Sequence, residues 1–247
     1  MEDLYEILDS FESVNLAEMD SVKLMDRFDT RYSLTSQQLA SVLPMLKQHY
    51  KVVNIAGTKI TSYKTLYFDT AALDLYLAQH NRRAGRYKIR HRYYVESKLG
   101  FLEVKFKNNK GRTIKTRISQ NEDAGKWNEE ARQFISENSD LDPDLLELSL
   151  QVNYRRITLV DAAERVTIDF AIEFKKNGLR RILQNLVIIE LKQNRKKPSV
   201  IFEIVRKEKL LVSPVSKYCL GIASMMPDVK QNNFRQKIRL MTKMTDI

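Results

Sequence analysis

Charged side chains, nearly all of them cationic, fall at every second position in three successive stretches of this sequence. In Arg86-Tyr87-Lys88-Ile89-Arg90-His91-Arg92-Tyr93, the two-residue period of a β-strand puts Arg86, Lys88, Arg90 and Arg92 on one face and Tyr87, Ile89, His91 and Tyr93 on the other. Phe101 to Lys107 separates Glu103, Lys105 and Lys107 from Leu102, Val104 and Phe106, and Arg112 to Ile118 separates Lys115 and Arg117 from Ile114, Thr116 and Ile118. Like charges directly across a strand pair repel, so such a face is favourable only when solvated or when a polyanion lies on it. A solvated outer sheet face is the plain reading for any one of these strands. If helices cover the apolar faces, however, the cations line an interior, and an interior of Arg and Lys suits phosphate.

The elements around these stretches supply both more strands and the helices to cover them. Leu4, Ile7, Leu8 and Phe11 have helical spacing, and Asp26 to Leu34 alternates as a further strand with Arg27, Asp29 and Arg31 on one face. Thr35 with Gln38 forms a capping box for a helix carrying Leu39, Val42, Leu43 and Leu46, ending near Tyr50, with Pro44 able to kink it. A strand over Ile60 to Phe68 follows, then Asp69 as cap of a short helix with Leu73, Leu75, Tyr76 and Leu77, and a turn over Asn81 to Gly85. After Arg117 the spacing of Trp127, Ala131, Phe134 and Ile135 predicts a helix, and Pro143 to Leu150 a second. Strands are expected over Val152 to Leu159, Arg165 to Phe170 and Leu186 to Lys192, then helices over Lys196 to Leu210 and from Ser213 through Met226. About eight strands interleaved with helices lead to an α+β expectation: an antiparallel eight-stranded tunnel barrel with helices packed outside, since closure removes sheet edges and encloses a cavity for one ligand.

Charge across the whole chain agrees with an anionic partner. The 42 Lys and Arg against 31 Asp and Glu give a formal net charge of +11 over 247 residues, which favours nucleic acid, a phosphate-rich molecule or an anionic membrane surface. Only 7 Gly and 5 Pro argue against low-complexity linkers, so one domain over 1–247 is expected, with its core at about 26–226 and a basic tail over 228–247. Cys219 is alone, which excludes an intrachain disulfide. With no apolar run of membrane-spanning length and an acidic start, the expected location is cytoplasmic.

The inward set then comprises Arg27, Arg31, Lys88, Arg90, Arg92, Lys105, Lys115, Arg117, Arg156, Arg165 and Lys192, with Glu103, Asp169 and Glu190 as its acids. So many cations in one cavity cost several kcal/mol per ion in desolvation unless countercharge is present. A triphosphate or polyphosphate supplies it, and the few carboxylates are hard ligands that Mg2+ or Mn2+ accepts alongside phosphate oxygens. Metal-assisted phosphoryl transfer is the chemistry such a cavity supports. His49, His80 and His91 lack metal-ligand spacing, Cys219 on an apolar helix is expected in the core, and no phosphate-loop motif occurs.

The ordered series Arg27-x-x-x-Arg31-Tyr32, Tyr67-Phe68-Asp69 with Leu73-Asp74-Leu75-Tyr76, Arg90-x-Arg92-Tyr93, Glu103-x-Lys105, Lys115-x-Arg117, Tyr154-x-Arg156, Arg165 to Asp169, Glu190-x-Lys192 and Ser216-Lys217-Tyr218 resembles the catalytic domain of the vacuolar transporter chaperone (VTC) polyphosphate polymerases, members of the triphosphate tunnel metalloenzymes. The resemblance implies transfer of the γ-phosphate of ATP to a growing polyphosphate chain with Mn2+ or Mg2+, and ATP and polyphosphate rather than nucleic acid as partners. It implies phosphate binding by Arg31, Arg90, Arg92, Lys105, Lys115, Arg156, Arg165 and Lys217, hydrogen bonding by Tyr154 and Ser216, and metal ligation by Glu190. Arg117 and Lys192 join the phosphate-binding set from their strand faces, and Glu103 and Asp169 are further acids for the metal. The chain departs from the family at Arg31, where Lys is usual, and at Pro214, where a Lys usually precedes the Ser-Lys pair. It lacks the Glu-x-Glu-x-Lys start of the thiamine triphosphatase and class IV adenylyl cyclase branch. The membrane and inositol-phosphate-sensing domains of the eukaryotic polymerases are not in this sequence, so a membrane partner protein is one alternative. A tripolyphosphatase or nucleoside triphosphatase with water as acceptor is the second reading, and a non-catalytic binder of polyphosphate or nucleic acid the third.

Overall fold

The computed structural model describes residues 2–20, 28–110, 112–121, 127–193, 197–212 and 216–245. Its first third comprises α1 (Glu2–Asp9), β1 (Ser13–Val14), α2 (Leu16–Asp20), β2 (Phe28–Thr35), α3 (Ser36–Leu46), β3 (Lys51–Val53), β4 (Ile60–Asp69) and α4 (Asp74–His80). The middle comprises β5 (Arg86–Tyr94), β6 (Leu99–Lys107), β7 (Thr113–Ser119) and α5 (Glu129–Asn138). The remainder comprises β8 (Glu147–Val160), β9 (Glu164–Lys176), β10 (Leu179–Leu183), β11 (Leu186–Gln193), α6 (Val200–Lys207), β12 (Leu211–Val212), α7 (Lys217–Met225) and α8 (Asn232–Thr245). No helix among the described residues is long and apolar enough to cross a membrane.

The strands form one sheet of 12, in the order β12-β2-β11-β9-β8-β4-β5-β6-β7, with β1, β3 and β10 joined at its sides. Every pairing is antiparallel except β1 with β3. The eight-stranded closed barrel expected from the sequence is therefore incorrect: the path has two ends, β7 and β12, and among the described residues nothing pairs them. Alternation fixes which face of a strand carries charge, but it does not determine whether the outermost strands meet. The sheet is nonetheless strongly curled. Four strands separate β2 from β5 in sheet order, yet the Arg31 charge acts directly on the Lys88 ammonium.

Two apolar clusters cover the convex face. Tyr32 and Leu34 of β2, Ile157 and Leu159 of β8, Val166 and Ile168 of β9 and Val187 and Ile189 of β11 meet Leu39, Val42, Leu43 and Leu46 of α3 and Ile201 and Ile204 of α6. Leu66 and Phe68 of β4, Ile89 of β5 and Leu102 and Val104 of β6 meet Ala131, Phe134 and Ile135 of α5. Each fully buried aliphatic side chain contributes about 1.5–3 kcal/mol, so these clusters hold the helices outside. A third cluster seats α7, which packs Tyr218, Cys219, Leu220 and Ile222 against Leu150, Val152, Ile172 and Phe174. Gly221 permits that approach, because a Cβ there would collide with Leu150 and stand 2.9 Å from the Phe174 ring. Cys219 is in the core, as expected.

Local chemistry explains the boundaries. Thr35 and Gln38 complete the capping box at the start of α3. Pro44 sits in its last turn, and beyond Leu46 the chain continues in hydrogen-bonded turns, the Lys47 amide to the Pro44 carbonyl and the Tyr50 amide to the Leu46 carbonyl, so the helical segment runs out near Tyr50 as expected. The helix expected over Pro143 to Leu150 is absent: Pro143–Leu145 form one 3-10 turn and β8 begins at Glu147, because Glu147, Leu148 and Leu150 pair with β4 and Gln151 with both β4 and β9. Tertiary pairing overrides helical preference there. The hairpin from β9 to β10 turns through Asn177 and Gly178, both at positive φ, as a two-residue hairpin turn requires.

Candidate functional site

The register of the sheet assembles the concave face row by row. Glu190 of β11 lies opposite Arg31 of β2 and Thr167 of β9, and Lys192 opposite Asp29 and Arg165. Asp169 of β9 lies opposite Arg156 of β8, Tyr154 opposite Tyr63 of β4, and Thr61 opposite Arg156. Thr65 and Tyr67 of β4 lie opposite Arg92 and Arg90 of β5. Arg90 lies opposite Glu103 of β6, and Glu103 opposite Arg117 of β7, while Lys105 stands between Lys88 and Lys115. The inward set read from the sequence thus shares one surface, except Arg27, which lies outside the described residues.

Three carboxylates organise the cations. Glu103, with no exposure, accepts from Arg90 Nε at 2.5 Å and pairs with Lys115 Nζ at 2.5 Å. Asp169 accepts from Arg156 through two hydrogen bonds of 2.5 and 2.8 Å, and also pairs with Lys217 at the start of α7. Glu190 pairs with Arg31 and, at 3.1 Å, with Lys192. Burial alone would raise the Glu103 carboxyl, but Arg90, Arg92 and Lys115 outweigh it and hold it well below the usual carboxylate range. Asp169 is held low against burial by Arg156 and Lys217, and Glu190 by Lys192 and Arg31. The lysines feel the reverse. Burial pushes Lys88, Lys105 and Lys217 down, aided by neighbouring arginines, and lowers Lys115 to about 8 despite Glu103.

Tyrosines pave the floor between these groups. Tyr63 and Tyr154 stack with centroids 4.9 Å apart, and the Arg156 guanidinium sits 5.0 and 5.4 Å from their ring centres. Lys217 Nζ lies 4.6 Å from the Tyr154 centre, and Arg117 lies 4.4 Å from that of Phe101. Burial would raise the Tyr67 hydroxyl, yet Arg90 and Arg92 lower it. Among the described residues, Arg92 Nε, Tyr154 Oη, Thr65 Oγ1 and Thr167 Oγ1 are buried on this surface without a hydrogen-bond partner in the protein. Leaving such groups unpaired costs about 1–3 kcal/mol each, and ligand oxygens or water would satisfy them. Ser216 caps α7 by accepting from the Cys219 amide, which leaves its own proton available to donate.

Sequence reasoning missed Tyr63, Tyr67, Thr65 and Thr167 as site residues. The signal for Tyr63, Thr65 and Tyr67 was present in Thr61-Ser62-Tyr63-Lys64-Thr65-Leu66-Tyr67, where hydroxyls occur at every second position, and that for Thr167 in its place between Arg165 and Asp169 on one strand face. His91, read from the sequence on the opposite face, lies there with Nε2 2.6 Å from the Gln120 carbonyl oxygen. Pro214 lies outside the described residues. A cavity of about 440 Å3 lies off this surface, beside His49, Tyr50 and Ser199. Its buried Glu164 already accepts from Tyr50, Ser199 and Gln193.

Among the described residues no three His, Cys, Asp or Glu side chains gather as a metal-binding group. The donors present still suit one kind of ion. Asp169 pairs in register with Ile188, which sets its carboxylate diagonally from Glu190, and both feel Arg156 and Lys217. One or two carboxylates suit a hard divalent cation that completes its shell with phosphate oxygens and water.

A curled antiparallel sheet thus gathers arginines, lysines and hydroxyls on its concave face around three ion-paired carboxylates, a donor set whose chemistry suits oxyanions. The chain belongs to the VTC domain family, whose domain matches residues 26–226. It is also similar in fold to the putative adenylyl cyclase HpAC1 from Hippeastrum, described as having a dominant triphosphatase activity, at 14% identity and a TM-score of 0.49 over 80% of this chain and 96% of that one. The PH1819 protein of Pyrococcus horikoshii OT3 is similar at 12% identity and a TM-score of 0.46 over 80% and 99%. A conserved hypothetical protein from Pyrococcus furiosus is similar at 12% and 0.45 over 78% and 98%. No curated protein matches the chain.

Proposed function

We propose that this protein is a polyphosphate polymerase that transfers the γ-phosphate of ATP to a growing polyphosphate chain. The carrying observation is the convergence of Arg90, Arg92, Arg156, Lys105, Lys115 and Lys217 on one surface, together with buried Arg92 Nε and Tyr154 Oη that have no partner in the protein. VTC family membership supports the same reading. Arg31, Arg117, Arg165 and Lys192 complete the phosphate-binding set, and Ser216 and Tyr154 donate hydrogen bonds. These side chains hold donor and acceptor phosphates in line and exchange their mutual ion pairs for phosphate oxygens. A terminal oxygen of the acceptor forms the new P–O bond as the bond from the γ-phosphorus to the bridging oxygen breaks, and ADP leaves with that electron pair.

Glu190 and Asp169 would hold the divalent ion, Mn2+ or Mg2+, which neutralises charge on the transferred group. Glu103, enclosed by Arg90 and Lys115, positions those cations rather than the metal.

A hydrolytic reading, with water as acceptor, is favoured by one observation: among the described residues nothing pairs β7 with β12, which leaves water a path to the concave face. Incubation with ATP and Mn2+ separates the readings. Chains visible by gel, and absent with Glu190→Gln, are the expected result. Orthophosphate without chains makes the protein a triphosphatase, and binding of tripolyphosphate without either product makes it a non-catalytic binder.

A further inference from the structure

Three elements bring unpaired cations together at the end of the sheet where α4 and α8 lie. The turn after α4 exposes Arg82 and Arg83, and the Arg83 carbonyl accepts from Arg86, which stands opposite Lys107 in the β5–β6 register. Lys110 is exposed at the tip of the β6–β7 hairpin, which closes through the Asn108 amide to the Arg112 carbonyl. The start of α8 is fastened to the same turn: the Asn233 amide donates to His80 Nε2, Asn233 Nδ2 to the His80 carbonyl, and the Tyr76 hydroxyl to the Lys230 carbonyl. Lys230 and Arg235, both exposed, flank the segment so fastened to the end of α4, two residues before Arg82. Among the described residues, Arg82, Arg83, Lys107, Lys110, Lys230 and Arg235 make no ion pair with a carboxylate.

This collar continues a line that begins inside. On the concave side of β5, Arg92, Arg90, Lys88 and Arg86 follow one another over about 20 Å, with Lys105 and Lys107 of β6 beside them. Lys88 and Lys105 are only half-buried, so the line is reachable along its length. We propose that Arg82, Arg83, Lys107, Lys110, Lys230 and Arg235 form an outer binding surface for the part of a long inorganic polyphosphate that extends beyond the concave face. The occupant follows from the shape of the line. Only a thin, unbranched polyanion engages the outer collar and the inner residues at once; a nucleic-acid duplex or a membrane can touch the collar alone. The surface includes α8, which lies past residue 226, where the family match ends, so it belongs to this chain rather than to the shared domain. The inference rests on the proposed function in taking the concave face as the phosphate site.

The test is a charge reversal, R82E/R83E/K110E/R235E, with the milder R82Q/R83Q/K110Q/R235Q as a second variant should the first fail to fold. Binding of long polyphosphate and of tripolyphosphate is titrated calorimetrically at two salt concentrations. The expected result is a loss of about tenfold or more for long polyphosphate, steepest at low salt, with tripolyphosphate affinity unchanged. The proposal is overturned if long polyphosphate loses nothing, if both ligands weaken alike, or if duplex DNA or anionic phosphatidylserine vesicles bind the unmutated protein as tightly as long polyphosphate does. Failure of tripolyphosphate to bind the unmutated protein counts against the concave site, while the long-chain comparison still judges the collar.

Discussion

Glu103 is surrounded by more positive charge than one carboxylate can balance. Arg90 and Lys115 contact it, and Arg92 and Lys105 act on it from nearby. The surplus falls on Lys115, whose ammonium is held to about 8 by burial even with Glu103 alongside. An arriving anion restores the proton, so binding takes up protons and weakens as pH rises from about 8 towards 10.5. Lys115→Arg keeps its charge throughout that interval, and tripolyphosphate titrations across it are expected to show a flatter decline; an unchanged profile would place the titrating group elsewhere. Asp169 titrates in the opposite sense. Its folded pKa lies below its unfolded one because Arg156 and Lys217 outweigh burial, so its stabilisation is present at neutral pH and is lost as pH falls below about 4. Asp169→Asn is expected to be less stable at pH 7 and to show a shallower acid limb in denaturant midpoints. The cations were legible in the sequence because alternation marks them directly. Tyr63 and Tyr67 were marked only by the hydroxyl alternation they share with Thr61 and Thr65, and a tyrosine on a strand face is equally a mark of plain packing.

At the scale of elements, α7 is tied to the sheet by Asp169 through Lys217 and by Asp69 through Tyr218. Asp69, at the end of β4 and with no exposure, accepts the backbone amides of Thr70, Leu75 and Tyr76 at 2.8–2.9 Å and the Tyr218 hydroxyl. It thus holds the first turn of α4, whose own N-cap, Leu73, offers no side-chain acceptor. Tyr218 adjoins Lys217, so the same carboxylate fixes where that ammonium meets Asp169. Asp69→Ala strands three amides and a hydroxyl, and is expected to cost about 3 kcal/mol and to weaken tripolyphosphate binding without having touched the ligand. Denaturant unfolding and calorimetry measure the two effects; a loss below about 1 kcal/mol would sink the assignment. Asp69 as cap was readable from its place before Leu73 to Leu77. The hairpin through Asn177-Gly178 was readable too, because that dipeptide is a strong two-residue turn signal, yet the neighbouring strands hid it by alternating only weakly. The Pro143 to Leu150 stretch misleads because Leu145, Leu146, Leu148 and Leu150 suit a helix, and only the pairing of Leu148 and Leu150 with β4 makes its second half strand.

For the whole molecule, the pairing order means protection is uneven. β8 and β9 carry neighbours on both sides, whereas β7 pairs with β6 alone and exposes much of its length. Amide exchange is therefore expected to be slowest in β8 and β9 and fastest, among the long strands, in β7; equal protection of β7 would indicate a partner on its free edge. Closure was the one global property that alternation left open. The strands at the extremes of the path decide it, and β12 is two residues long, too short for a period to register.

An unclosed sheet also changes how a polymer can be loaded. A sealed tube admits a chain only by its tip, so every internal segment waits for an end to be threaded. With Lys115 and Arg117 standing on the outermost long strand, a segment from the middle of a chain can be laid in from the flank. Polyphosphate anchored to beads at both termini is thus expected to bind nearly as well as free chains, whereas a threaded ring of protein would ignore it.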